Sequence, residues 1–345
     1  MPDRALTITG GERRCAAVDF LRGFSIFTVV LMHLVQGFLG ELPTLVYQAA
    51  ALGGTGAHVF LFCSGFGLYS SHLRRPLTAG QFLARRLGKI YLPYLPVVLA
   101  SACVPALCAG VDRLGAVAAH AFLYKMFIPR YMESLGMHFW FVSTILQLYL
   151  LFLPLCALRR RLGLRGLIAV GAGVSIVWWL ILAATGLYTE RVWNSFCAQF
   201  LWEFVLGMAA AEYLNRGGTI RLRPLWLGAA AVAGLGMQAA IALWGGYPLR
   251  LFNDVPAFVG YGALALLCAH LGRGWLDRIY TALSTISYAW YLTHILVFTL
   301  AFSLGGGILP KAVLAGGAFG LSLLVAWSYS KLRIYNLFTA LRRGK

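Results

Sequence analysis

Ten stretches of about 20 predominantly apolar residues recur along this chain. Each is long enough to cross a hydrocarbon layer about 30 Å thick as a helix. They fall near 16–38, 52–72, 90–110, 138–158, 166–186, 196–214, 224–244, 253–271, 281–303 and 311–333. The expected fold is all-α, a polytopic transmembrane bundle of about ten spans forming a single domain over residues 1–345. Composition agrees. Only 12% of the residues are charged and 60% are hydrophobic, against about 25% charged in soluble domains, which excludes an ordinary soluble protein and a disordered chain. The first window is too long for the apolar part of a signal peptide, and no small-residue cleavage site follows it. The cysteines number seven, lie mostly in apolar runs and form no CxxC pair, so neither a disulfide framework nor a metal site is expected.

The formal charge of +18 would suggest nucleic acid on a soluble protein. Here its distribution along the chain explains it. With a cytoplasmic N-terminus and ten crossings, 22 of the 29 Lys and Arg residues fall on inner segments and 6 on outer ones, Arg22 lying within the first span. That asymmetry obeys the positive-inside rule, places both termini in the cytoplasm and leaves no reason to invoke nucleic acid. The outer segment 111–137 mixes apolar stretches with Arg113, Lys125, Arg130 and Glu133, and is expected to form a partly helical cap. No internal repeat or low-complexity tract interrupts the pattern.

Ionisable groups inside a span are costly and tend to face the bundle interior, which makes each a candidate for function. In the first span Asp19, Arg22 and His33 share a helical face, because eleven residues make three turns plus about 20°, with about 16 Å of rise. Either they form a functional stripe, or Asp19 and Arg22 simply pair while His33 bonds a neighbouring helix. Ser64 and Gly65 in the second span suit close helix packing as well as a polar site. Arg85, Arg86 and Lys89 form a compact cationic face at the inner surface, which serves either lipid headgroups or the phosphates of a ligand. Trp140, Ser143 and Gln147 face one way in the fourth span, where His138 and Trp140 are also suited to anchoring at the interface. Ser284, Ser287, Tyr291 and His294 make a second polar stripe, and Glu203 and Asp254 complete the buried set.

These residues, in this order, resemble the integral-membrane acyltransferase-3 family, which includes the O-acetylases of bacterial surface sugars. Arg14-x4-Asp19-x2-Arg22-Gly23-x9-His33 is similar to the family's arginine, ten residues, histidine signature. Phe60 to Phe66 resembles its apolar run ending Ser-Gly-Phe, and Arg85-Arg86-x2-Lys89-Ile90-x2-Pro93 resembles its basic loop. His138-x-Trp140 with Gln147-x-Tyr149-x4-Pro154, and Ile286-Ser287-Tyr288-x2-Tyr291-Leu292-x-His294, match two later signatures. The resemblance covers about residues 12–335. Three positions depart from it: Lys89 stands where arginine is common, and Ile145 and Leu146 stand where many relatives carry a paired glutamate in the fourth span.

The resemblance implies transfer of an acyl group, most often acetyl, from cytoplasmic acyl-CoA to a hydroxyl of a sugar or glycan at the outer side of a bacterial inner membrane. It implies His33 as the base, Asp19 and Arg22 organising the stripe, and Arg22, Arg85, Arg86 and Lys89 holding the anionic donor. Tyr291 and His294 would be secondary contacts, with Ser64, Trp140, Gln147, Ser287, Glu203 and Asp254 as further candidates. Acyl-CoA, the hydroxyl acceptor and membrane lipids are the expected partners; no metal or tightly held cofactor is implied. The rival is a multi-pass transporter or flippase of a lipid-linked sugar or small polar solute, which buried charges suit equally well. The lack of a repeat between the two halves weighs against it.

Overall fold

The computed structural model describes residues 5–10, 15–272, 274–307 and 309–332. Both chain ends, expected in the cytoplasm, lie outside the described residues. So do Arg4, Arg13, Arg14, Arg273, Arg333, Arg342, Arg343 and Lys345, on which part of the charge distribution and the start of the first motif rest.

The architecture is carried by α1 (Ala16–Phe38), α2 (Gly56–Arg74), α3 (Ala79–Arg86), α4 (Leu92–Ala102) and α5 (Trp140–Thr185). It continues through α6 (Leu201–Asn215), α7 (Pro224–Trp244), α8 (Asp254–Leu271), α9 (Trp275–Gly305) and α10 (Lys311–Lys331). The expected all-α bundle is what the chain forms. Among the described residues, a small antiparallel ribbon departs from it: β1 (Leu6–Thr9) pairs with β2 (Thr219–Leu222) and ties residues 6–9 to the α6–α7 connection.

Among the described residues, seven helical segments are long and apolar enough to cross a membrane. The difference from ten windows has three local causes. The windows at 138–158 and 166–186 fall in the single run of α5, which breaks at Gly163 where φ is 73°, a left-handed conformation that glycine adopts without strain. The Thr144 hydroxyl bonds the Ser195 carbonyl at 2.6 Å and the Ser175 hydroxyl bonds the Ala198 carbonyl at 2.7 Å. Two residues that distant on one helix reach neighbouring carbonyls only if the chain doubles back at Gly163. The window at 90–110 yields only 11 helical residues in α4, followed by a 3₁₀ turn at Pro105–Leu107. Prolines at 93, 96 and 105 remove N–H donors from that run. The window at 196–214 opens with a 3₁₀ turn at Cys197–Phe200, leaving 15 residues to α6.

The basic stretch read as a loop is helical. Thr78 and Gln81 form a reciprocal capping box at the start of α3, and one π-type turn over Leu87–Tyr91 joins α3 to α4. Elsewhere helices approach through glycine. A Cβ on Gly65 would lie 2.0 Å from the Phe204 carbonyl oxygen, and one on Gly207 would lie 2.0 Å from that of Phe62. Gly65, for which close packing is one of two readings from sequence, is thus half of an α2–α6 crossing. These helices run parallel, since His58 meets Glu203 near their N-terminal ends and Tyr69 meets Glu212 near their C-terminal ends. Glu212 also takes a forked pair of bonds from Arg159 and an ion pair from Arg216.

Candidate active site

A cavity of about 990 Å³ opens where α1 ends, lined by α1, the start of α2 and α8, the segment before α5 and the loops between. Three histidines meet at its wall, from three different elements. His33 comes from α1, His294 from α9 and His138 from the 3₁₀ turn that opens α5. His33 Nδ1 lies 3.0 Å from His294 Nε2, and the His138 ring is centred 4.9 Å from that of His294 and 6.2 Å from that of His33.

Hydrogen bonding assigns the protons. His294 Nδ1 lies 2.9 Å from the Trp290 carbonyl, an acceptor only, so Nδ1 must carry the hydrogen. In a neutral ring Nε2 then accepts, and its partner, His33 Nδ1, must donate. That leaves Nε2 of His33 with the lone pair. His294 is fully buried whereas His33 is partly exposed and lines the cavity. A relay from a fixed carbonyl through a buried imidazole thus orients a second imidazole with its basic nitrogen unused. The Tyr291 hydroxyl holds the His138 backbone by donating to its carbonyl.

A second polar cluster lies on the same cavity. His58 Nδ1 is 2.6 Å from Glu203 Oε1, and Gln199 Nε2 donates to Asp254 Oδ2 at 2.7 Å. Arg191 sits over the Trp140 ring with its Cζ 4.6 Å from the centroid. The 111–137 segment forms the remaining wall from short helical pieces, contributing Arg130, Glu133 and Ser134. Within it the Lys125 ammonium is almost wholly buried and donates to the Met132 carbonyl at 2.8 Å. Burial, together with the nearby Arg191 cation, pulls Lys125 down to about 7 against the opposing pull of Glu133.

Comparison with known families decides what kind of machinery this is. A family model described as an acyltransferase domain matches residues 16–331. The chain belongs to the acyltransferase-3 family. No curated protein and no solved structure is detectably similar to it. With its apolar helices, the acyltransferase is a multi-pass membrane protein.

Of the residues singled out from sequence, the acyltransferase brings His33, Trp140, Tyr291 and Asp254 to the cavity and places His294 and Glu203 directly behind His33 and His58. Others lie elsewhere. Ser64 is not on the cavity wall, Gln147 accepts from the Cys197 N–H at 3.0 Å, and Ser287 donates to the Ser284 carbonyl. Asp19 and Arg22 stand near the far end of α1, and the cavity's α1 wall ends at Val29. Between the two ends Ile26 and Val30 are fully buried, so the polar stripe is interrupted by core packing.

Arg85 and Lys89 are exposed on the continuous α3–α4 run. Arg86 lies over the rings of Phe82 and Tyr149, 5.6 and 5.8 Å from their centroids. Partial burial and the charges of Arg86, Arg85 and Arg22 hold Lys89 below the ordinary lysine range, so these four cations share one field. His138, His58, Gln199 and Arg191 were not among the sequence candidates. His138 resembled an interfacial anchor. The other three sit at element starts or in a loop, where no helical stripe marks them.

Proposed function

We propose that this acyltransferase moves an acyl group, acetyl by the family's pattern, from cytoplasmic acyl-CoA to a hydroxyl of a sugar or glycan acceptor at the outer side of a bacterial inner membrane. The observation that carries the reading is the relay from the Trp290 carbonyl through His294 to His33, beside a cavity large enough for a sugar. Histidine is the usual residue for a base that works near neutral pH. His33 Nε2 takes the acceptor's hydroxyl proton as that oxygen bonds to the thioester carbon. The C–S bond then breaks and the departing CoA sulfur receives the proton from His33. An acyl-histidine intermediate would divide the same transfer into two steps.

The donor's phosphates suit the Arg22, Arg85, Arg86 and Lys89 field, since arginine engages phosphate bidentately. Arg22 and His33 are separated by about 16 Å of helix rise, a gap that the long pantetheine arm is built to bridge. Asp19 organises this donor end.

Release of CoA thiol tests the reading, using purified protein in lipid discs with acetyl-CoA and a surface-glycan extract. Wild type should release thiol beyond one equivalent per chain only when acceptor is present. His33→Gln keeps volume and hydrogen bonding but accepts no proton at neutral pH, so it should bind CoA normally and turn over at least about 10²-fold more slowly. Near-normal turnover by His33→Gln would remove the base assignment, and absence of thiol release from wild type would favour a transporter.

A further inference from the structure

Three elements begin around one spot on the cavity wall, and the side chains they bring there are richer in acceptors than in donors. His58 is the third residue of α2, Glu203 the third of α6 and Asp254 the first of α8. One nitrogen or oxygen from each lies within 4.8 Å of the other two. The 2.6 Å bond to Glu203 Oε1 places the hydrogen on His58 Nδ1, which leaves the Nε2 lone pair for something else. Nε2 is 3.7 Å from Asp254 Oδ1, beyond a hydrogen bond. It is close to the edge, about 3.4 Å, that two ligands make on a tetrahedral ion at about 2.1 Å.

The rest of the cluster points the same way. Gln199 donates through Nε2 to Asp254 Oδ2, and Oε1 is the other polar atom of the same amide group. That Oε1 atom and Glu203 Oε2 are both buried with no hydrogen-bond partner, on side chains that are 3% and 0% exposed. A plain imidazolium shared between two carboxylates would leave these oxygens orphaned and the second contact too long. A cation between Nε2 and Asp254 Oδ1 accounts for the long contact, and water carried on it would supply donors for the two orphaned oxygens.

We propose that His58 Nε2 and Asp254 Oδ1 bind a first-row divalent metal ion of the zinc type on the wall of the acyl-transfer cavity. Mixed imidazole and carboxylate donors suit zinc, manganese or iron(II) better than calcium or magnesium. Glu203 holds the imbedded imidazole through its Nδ1–H, the usual arrangement behind a metal-bound histidine, and Gln199 holds the Asp254 carboxylate. With two protein ligands, one fewer than in catalytic zinc sites, at least two positions stay open. Since His58, Gln199 and Asp254 all line the cavity, water or a hydroxyl-bearing ligand fills those positions. The binding claim is independent of the base assigned to His33.

The test is metal content and Co²⁺ absorption of the purified full chain, stripped with chelator and titrated with Zn²⁺ or Co²⁺. Wild type should retain about one ion per chain after desalting. His58→Ala and Asp254→Asn should each weaken binding at least about tenfold, and Glu203→Gln about 10- to 100-fold. His33→Gln and His294→Gln should keep the ion, which separates this site from the three-histidine cluster and from any failure of the acyl-transfer reading. Gel filtration and thermal unfolding without metal establish that each variant is folded. No stoichiometric ion in wild type overturns the proposal whatever the variants do. So does retention of the ion in both folded variants, or its loss in the His33 and His294 variants instead.

Discussion

Lys125 directs its ammonium at one acceptor, the Met132 carbonyl, and has almost no contact with solvent. With the 111–137 segment closed it titrates near 7, while in an opened or unfolded segment it would return to about 10.4. Between those values the closed form binds fewer protons, so closure strengthens as pH rises from about 7 toward 10. Beside it His120 is pushed down to about 2 by burial, with Lys125 adding repulsion. It therefore contributes a slope of the same sign, confined below about pH 6.5. Asp112 is lowered first by the Tyr131 hydroxyl, then by the Gly115 N–H and Arg130, and acts only in acid. Hydrogen exchange of residues 111–137, corrected for the intrinsic pH dependence, should show protection rising above pH 7. Lys125→Met should flatten that rise and leave the dependence below pH 6.5 in place; an unchanged rise would mean another group is responsible.

At the level of elements, the α2–α6 crossing and the α3–α4 run make opposite demands. Gly65 and Gly207 each face a backbone carbonyl at a distance no Cβ tolerates. Gly65→Ala must push α2 and α6 apart or distort one of them, at about 1–3 kcal/mol. A Cβ on Gly67, two residues on, would meet nothing within 4 Å, so Gly67→Ala should be neutral or slightly stabilising. Thermal unfolding in detergent separates the two, and equal melting temperatures would contradict the crossing. On the α3–α4 run the cations repel one another, a cost that an anionic ligand would relieve. Arg85→Gln combined with Lys89→Gln should raise the donor KM about tenfold or more with little change in kcat. An unchanged KM in folded protein would assign these side chains to lipid headgroups. The Ser-Gly pair and the basic triplet were legible in sequence; that the basic stretch is helix with a π turn was not, because a one-residue excess in a turn leaves no mark on the hydrophobic pattern.

Across the whole molecule, helix directions carry the topological information. His58 with Glu203 and Tyr69 with Glu212 make α2 and α6 parallel. Gly23 against Tyr280 and His33 against His294 make α1 and α9 parallel. Helices an even number of crossings apart must run this way, and the doubling back of α5 at Gly163 adds the crossing that a single long helix would lose. With the charge asymmetry of the loops, this yields a definite expectation. Reporter fusions after residues 75, 162 and 345 should read cytoplasm, and one near 190 should read the outside. A cytoplasmic signal at 190 would exclude the arrangement that places the His33 cavity opposite the donor end.

The lipid requirement for about 20 apolar residues per span made the helical bundle readable from sequence alone, and the rarity of charge within spans drew attention to His33, His294, Glu203 and Asp254. Helical periodicity relates residues along one helix and says nothing about which helices touch. It therefore extended the α1 stripe from Arg22 to His33, although Ile26 and Val30 are packed into the core between them. Only tertiary structure could join His33 to His294, 261 residues away in sequence, and draw His138 in from a 3₁₀ turn. The same holds for His58, Glu203, Gln199 and Asp254, which begin or precede three separate helices. Sequence determined which side chains are costly to bury, because that cost depends on residue type and solvent. Packing decided which of them share the cost, because their meeting depends on helix crossings set by glycine contacts far along the chain.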